Sequence, residues 1–248
     1  MKFRFLQYRF EKMKRIFLVI SMVLIAVAVA VSCKEKEVEM PQQEEQEVVA
    51  AKVVNPFEFC GAEHNRLLDV LRQKDGGAKG GLNLEEVYGT LSNEVKNVVI
   101  PKDRFIRLMT DYRGFVYSPE LMDRLASDGV LSNIQVRLID DMAHMLLSDR
   151  VSNEAKLMML GRMEQDLLCG SQNLADVERE ALLCFTSVAQ GSMDYWPASG
   201  VFAEKGPMKA IAVAICDAIG AAVGAAHFGP VGAVALGAAA SYEASREF

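Results

Sequence analysis

From residue 83 to about residue 190, apolar residues return every three or four positions, the period of a helix with one buried face. Polar punctuation separates the stripes. "NLEEVYGTLSNEV" opens with Asn83 as an N-cap and Glu86 three residues on. "SPELMDRLASDG" offers Ser118 as cap, Pro119 at the first helical position and Gly129 past the end. "SNIQVRLIDDMAHMLL" sets Ser132 and Gln135 in capping-box spacing, with Ile134, Leu138, Ile139, Met142 and Met145 on one stripe. Two further stripes follow: 152–169 with Leu157, Leu160, Met163, Leu167 and Leu168, and 173–190 with Val177, Ala181, Leu182, Phe185 and Val188. The nearest approach to a strand is "NVVIP" at 97–101. The pattern predicts an all-α fold, a helical bundle from about residue 57 to 195.

The tail differs in kind. From Ala218 to Tyr242 there is no Asp, Glu, Lys or Arg, and Ala and Gly dominate. Gly220 and Gly224 are four apart, as are Gly229, Ala233 and Gly237, so on a helix each set puts small residues on one face and lets another backbone come close. Pro230 interrupts the run, which predicts two short helices folded into a hairpin. Three roles are open to it: packing on the bundle, an oligomerisation surface, or association with a membrane.

At the other end, Lys12, Lys14 and Arg15 precede an apolar run from Ile16 to Val31. Its length suits a secretory signal better than the roughly twenty residues of a membrane span. "AVSC" then resembles the lipobox of bacterial lipoproteins, which makes Cys33 the lipidated first residue of the mature chain. Acyl chains on that residue, at about 0.8 kcal/mol per buried methylene, suffice for stable anchoring. "MKRIF" at Met13 is an alternative start. The Glu- and Gln-rich stretch behind Cys33 reads as a solvated tether. Its acidic residues resemble the surface-export signal of Bacteroidota lipoproteins, with Lys34 and Lys36 interleaved. The expected location is the outer membrane, lipid-anchored and surface-exposed. The expected division is 1–32 signal peptide, 33–55 tether, 56–205 helical domain and 206–248 hairpin.

Charge then removes one class of partner. Cleavage before Cys33 takes away six basic residues and one acidic residue, leaving 21 basic against 32 acidic, a net charge of −11. Such a surface repels phosphate backbones, so nucleic acid is not an expected partner. Four cysteines remain, Cys60, Cys169, Cys184 and Cys216, with three disulfide pairings open to them or a role as buried thiols.

"NPFEFCGAEHNRLLDVL" (Asn55, Pro56, Phe57, Gly61, His64, Asn65), then "SVAQGSMDYW", then "DAIGAAVG" occur in that order. Together they resemble uncharacterised exported lipoproteins of gut Bacteroidota with an N-P-aromatic, Gly, His-Asn signature and a glycine-zipper-like C-terminus. The resemblance implies export and carries no activity.

Candidate chemistry is sparse. Cys60 and His64 lie four apart and could pair as nucleophile and base or hold a metal; the alternative is a structural role in which His64 and Asn65 bond backbone near the Pro56 turn. Asp140 and His144 have the same spacing, that of an acid–base pair or of an exposed ion pair. "GGAKGG" at 76–81 lacks the order of a phosphate loop and reads as an interhelical loop. Tyr195 and Trp196 are either a binding site for sugar or peptide or a core plug. No cofactor or metal motif is present. The leading expectation is a lipid-anchored, non-enzymatic binding or structural module with a protein or glycan partner. A membrane-active, toxin-like protein using the tail is the first alternative, and a hydrolase without a linear motif is the second.

Overall fold

The computed structural model describes residues 54–76, 81–95, 100–170, 173–202 and 206–247. Cys33, the signal segment and the tether lie outside the described residues. The chain is all-α: α1 (Phe59–Asp75), α2 (Leu84–Glu94), α3 (Lys102–Asp111), a 3₁₀ turn (Arg113–Phe115), α4 (Pro119–Ser127), α5 (Asn133–Leu147), α6 (Asn153–Leu168), α7 (Asp176–Ala198) and α8 (Pro207–Glu247), with no strand among the described residues.

Local sequence sets the helix starts. Asn83 Oδ1 accepts the Glu86 N–H at 3.0 Å while Glu86 accepts the Asn83 N–H at 2.9 Å, a reciprocal box over two amides the helix leaves unpaired. Ser132 and Gln135 repeat it at the start of α5. Gln135 is itself buried and sends its amide to the Glu178 carbonyl at 3.2 Å, tying that cap to α7. Ser118 caps α4 ahead of Pro119, and α4 closes with Gly129 at φ 65°. The last helix of the bundle runs further than its apolar stripe predicts. α7 extends to Ala198, because Gly191 sits against the Gly61 backbone, Ser192 is buried, and Pro197 falls in the final turn, where its missing N–H costs one bond.

α8 is the centre of the molecule. It breaks at Gly229, whose φ of 68° and ψ of −166° lie in a region open only to glycine, and its arms, 207–228 and 230–247, fold back on each other. Gly224 faces the carbonyl of Gly232, and Gly220 faces Leu236 and Ala240. Any Cβ at Gly224 would overlap the Gly232 carbonyl, so the arms touch backbone to backbone. Gly229, expected on the packing face, is instead the turn: the antiparallel return reverses the face, and Gly232 meets Gly224 in its place. The hairpin packs most extensively on α7, then on α1, and the described residues form one compact unit, so the hairpin is built into the helical bundle. Each alanine methyl contributes only about 1 kcal/mol of transfer energy. The arms gain instead from the closeness of the contact and its dispersion.

A second small-residue crossing joins α1 to α7. A Cβ on Gly61 would stand 2.5 Å from the Ser187 carbonyl oxygen, and one on Gly191 would stand 3.1 Å from Gly61 Cα. Ser187 Oγ accepts the Gly61 N–H at 3.0 Å and donates to the Glu58 carbonyl at 2.9 Å, so the close approach leaves no polar group unpaired there.

The outer pair, α5 and α6, is built differently. α5 buries Gln135, Ile139, Ala143 and Leu146, and α6 buries Lys156, Leu160 and Leu167. The apolar stripe of α5 is wider than the face the core uses, so Leu138, Met142 and Met145 remain half-buried.

Candidate functional site

The described residues carry one dense polar cluster in the core. Asp217 stands in the first arm of α8 and is fully buried. α7 contributes Trp196, whose indole Nε1–H donates to Asp217 Oδ2 at 2.9 Å, and Ser192 one turn earlier. The second arm contributes Ser241, and α1 contributes His64, whose Nε2 lies 3.8 Å from the same Oδ2. His64, Asp217, Ser192, Ser241 and Trp196 all have zero exposure. Gly237 lies over the imidazole: a Cβ there would stand 3.1 Å from His64 Cδ2.

Electrostatics follow from burial. Asp217 is pushed up to about 7, because desolvation penalises its anion more than hydrogen bonds from Trp196, Ser192 and Ser241 favour it. His64 is pushed down to about 4 by the same desolvation, opposed by Asn65 and the Gly237 backbone. Between those values the ground state is a carboxylic acid beside a neutral imidazole. The tautomer follows from the network. Asn65 Nδ2 donates to the Gly191 carbonyl at 3.1 Å, so Asn65 Oδ1 faces His64 Nδ1 at 2.9 Å and Nδ1 carries the proton. Nε2 is then an acceptor pointing at Asp217. Among the described residues His64 Nε2 has no hydrogen-bond partner, and the Ser192 and Ser241 hydroxyls face the Asp217 carboxyl.

Ser, His and Asp here do not form a nucleophilic triad. In such a triad the carboxylate orients one ring nitrogen and the other activates the hydroxyl. At His64 the carboxyl meets Nε2 and Asn65 occupies Nδ1, so neither nitrogen is left to activate Ser192 or Ser241. With zero exposure, no substrate reaches them in this conformation. Among the described residues no group of three or more His, Cys, Asp or Glu is placed to hold a metal.

The other sequence candidates separate. Cys60 does not pair with His64: its sulfur contacts Cys184 Sγ at 3.8 Å and the Pro230 carbonyl at 3.9 Å, while His64 turns to Asn65 and Asp217. The Pro56 turn is held by Asn55, which accepts the Phe57 N–H at 2.9 Å and donates to the Leu183 carbonyl at 3.2 Å, so the expected role of His64 and Asn65 there falls to another residue. Trp196 is a core plug with zero exposure, edge-on to Tyr195 and Phe202 at 5.2 Å each, so its indole is not presented to a sugar or peptide. Tyr195 donates to Asp69 at 2.6 Å and accepts from Arg72 at 2.9 Å. Asp140 accepts from Tyr117 at 2.7 Å and stands 3.8 Å from the largely exposed His144, an ion-pair geometry. Of "GGAKGG", residues 77–80 lie outside the described residues, and Gly76 ends α1 at φ 56°.

Two features escaped the sequence reading. Asp217 is the only formally charged residue between Ala210 and Tyr242, and that isolation was the signal for a buried partner. The other is the open groove between α5 and α6, of about 330 Å³, lined by Leu138, Met142, Met145, Met159 and Met163, with Asp141, Arg162 and Asp166 among its walls. Met158 and Met159 are 56% and 40% exposed, unusual values for large apolar side chains.

Comparison with family models, curated proteins and solved structures finds no match to this chain.

Proposed function

We propose that this chain is an exported lipoprotein, anchored through Cys33 in the outer membrane and displayed at the surface, whose helical domain is a non-enzymatic binding module. The observation that carries the binding reading is the methionine groove on α5 and α6. Methionine is flexible and polarizable, so a groove lined by it adapts to apolar side chains of a partner protein, and mixed charge in the walls orients them. The polar cluster, by contrast, is sealed.

The test is photo-crosslinking in the native host, with the cross-linking residue at Met159 and, as control, at Val177, which is 63% exposed at the start of α7. A discrete adduct at position 159 and none at 177 is the expected result. Equal labelling at both, or at neither, overturns it. Cys33→Ala is expected to abolish lipid labelling and membrane partitioning; unchanged partitioning removes the anchor.

A second reading rests on α8, which by length and composition could cross a membrane yet is held inside a sheath of amphipathic helices. In that reading the hairpin leaves its sheath and enters a bilayer. Dye release from anionic vesicles by the full chain, abolished when the hairpin is disrupted, is its expected signature, and absence of release at every pH tried removes it. Gly220, Gly224 and Gly237 are engaged within the chain, so an oligomer would have to use another face.

A further inference from the structure

We propose that Cys60 and Cys184 form a disulfide that pins α1 to α7 across the turn of the hairpin. The two sulfurs are 3.8 Å apart, in van der Waals contact, and both side chains are fully buried. The helices that carry them are brought together by the Gly61–Ser187–Gly191 crossing, which begins one residue from Cys60 and three from Cys184 and where the backbones touch. Sulfurs so placed need only small side-chain rotations to reach bonding distance. Of the six pairs that the four cysteines behind Cys33 can form, this is the one whose sulfurs the fold brings into contact. Cys169 ends α6 in an exposed position, and Cys216 is buried in the first arm of α8. Cys60 Sγ also lies 3.9 Å from the Pro230 carbonyl, so the bond closes directly over the break between the two arms.

The chemistry is exchange with an external disulfide, such as oxidised glutathione or the disulfide of a thiol oxidoreductase. One cysteine thiolate attacks that disulfide and releases one reduced thiol. The second cysteine thiolate then displaces the other half. The S–S bond of the oxidant breaks, the Cys60–Cys184 S–S bond forms, and the two protons lost by the cysteines end on the two thiols released. The hydrogen bond to the Cys60 thiol and burial push Cys184 up, so in the folded, reduced chain that sulfur is held as a thiol. Both cysteines have zero exposure, so an external disulfide reaches them before α1 closes on α7, and a folded reduced chain oxidises slowly.

The experiment uses the full chain in detergent, unfolded and refolded in a glutathione redox buffer. Mass is expected to fall by about 2 Da, and digestion is expected to yield one peptide pair joining Cys60 to Cys184. The bond closes a long loop, with partners 124 positions apart, and is expected to raise Tm by roughly 5–15 °C, reversibly by dithiothreitol. Cys169→Ser keeps the bond and the Tm rise, whereas Cys60→Ser and Cys184→Ser each lose both while melting like the reduced wild type. Four free thiols after oxidative refolding, or a digest that joins either cysteine to Cys169 or Cys216, overturns the proposal.

Discussion

The seam inside α8 and the groove between α5 and α6 are both helix–helix contacts, made by opposite means. In the seam the residues are glycine and alanine, the backbones touch, and almost every side chain from Ala210 to Tyr242 is buried apart from the turn. In the groove the residues are leucine and methionine, long and flexible, and they stay half in solvent. A rigid seam has no slack: any added atom must displace backbone. A groove of long side chains absorbs change by rotamer shifts. The contrast teaches that apolar content does not rank the two regions by their weight in the fold. Proximity of backbone does, and so does the polar cluster that the seam encloses.

The largest expected effect is at the seam. Gly224→Leu has no room, because its Cβ would already overlap the Gly232 carbonyl. Helix propensity pulls the other way, by roughly 0.5–1 kcal/mol in favour of leucine. Overpacking at a backbone contact is expected to exceed that gain and leave a net loss of about 3 kcal/mol or more, a fall in Tm of about 10 °C. Thermal melting by circular dichroism decides it. An unchanged or raised Tm would show that the arms do not rely on close approach.

Next comes the buried pair, where the sign of a pH effect can be made to reverse. Asp217 has its folded pKa raised from 3.8 to about 7, so its contribution is fully present below 3.8 and is lost as pH rises through 7. His64 has its folded pKa lowered from 6.5 to about 4, so its contribution is present above 6.5 and is lost as pH falls through 4. Between about 4 and 6.5 the folded pair holds one proton, on Asp217, and the unfolded pair also holds one, on His64. The two slopes cancel, and unfolding only moves the proton. Removing either partner uncovers the other. Asp217→Asn is expected to make stability rise with pH across that window relative to wild type, and His64→Asn to make it fall. Each slope approaches about 1.4 kcal/mol per pH unit, and Tm measured at pH 4.5, 5.5 and 6.5 reads it. Slopes of the same sign in both variants would mean that the proton is not exchanged between these two groups.

A smaller effect, at the edge of the groove, concerns a cap. Ser132→Ala removes the acceptor for the Gln135 N–H and one half of the box that starts α5. The cost is expected to be about 1 kcal/mol, or about 2–4 °C in Tm. A loss as large as that of Gly224→Leu would place α5 inside the central unit of the fold.

These sizes also explain which parts of the structure could be read from the sequence. Caps are local: Asn83 with Glu86, Ser118 with Pro119 and Ser132 with Gln135 are fixed by residues within one turn, so they were legible. The break at Gly229–Pro230 was legible for the same reason, whereas its partner position, Gly232 against Gly224, depends on the turn reversing the second arm. The cluster was illegible as a cluster, because Asp217, His64 and Trp196 come from three helices that only tertiary packing brings together. Spacing pointed His64 toward Cys60, four residues away; the fold turns the imidazole inward and gives Cys60 to Cys184. The stripe of α5 misled in another way. Periodicity finds a helix and its apolar side, but a stripe wider than the core contact does not say which edge is left at the surface. That edge became the groove.

The smallest expected effect is therefore in the groove itself, and its smallness carries the argument. Met159→Lys places a charge on a side chain that is 40% exposed, within a wall that already holds Asp141 and Asp166. A lysine stem can lie along Met142 and Met163 while its ammonium reaches solvent or one of those carboxylates, so little apolar burial is lost. Stability is expected to change by no more than about 0.5 kcal/mol, within about 2 °C in Tm, as for surface substitutions elsewhere. The same change puts a desolvation cost on any apolar partner that enters the groove, so a cross-link from a probe placed beside it, at Met163, is expected to fade while the fold is untouched. The two readouts have to diverge. A drop in Tm comparable to that of Gly224→Leu would make the groove part of the core, and the difference between the two regions would vanish. An unchanged Tm with an undiminished cross-link would leave the difference in place and remove the groove as the binding face.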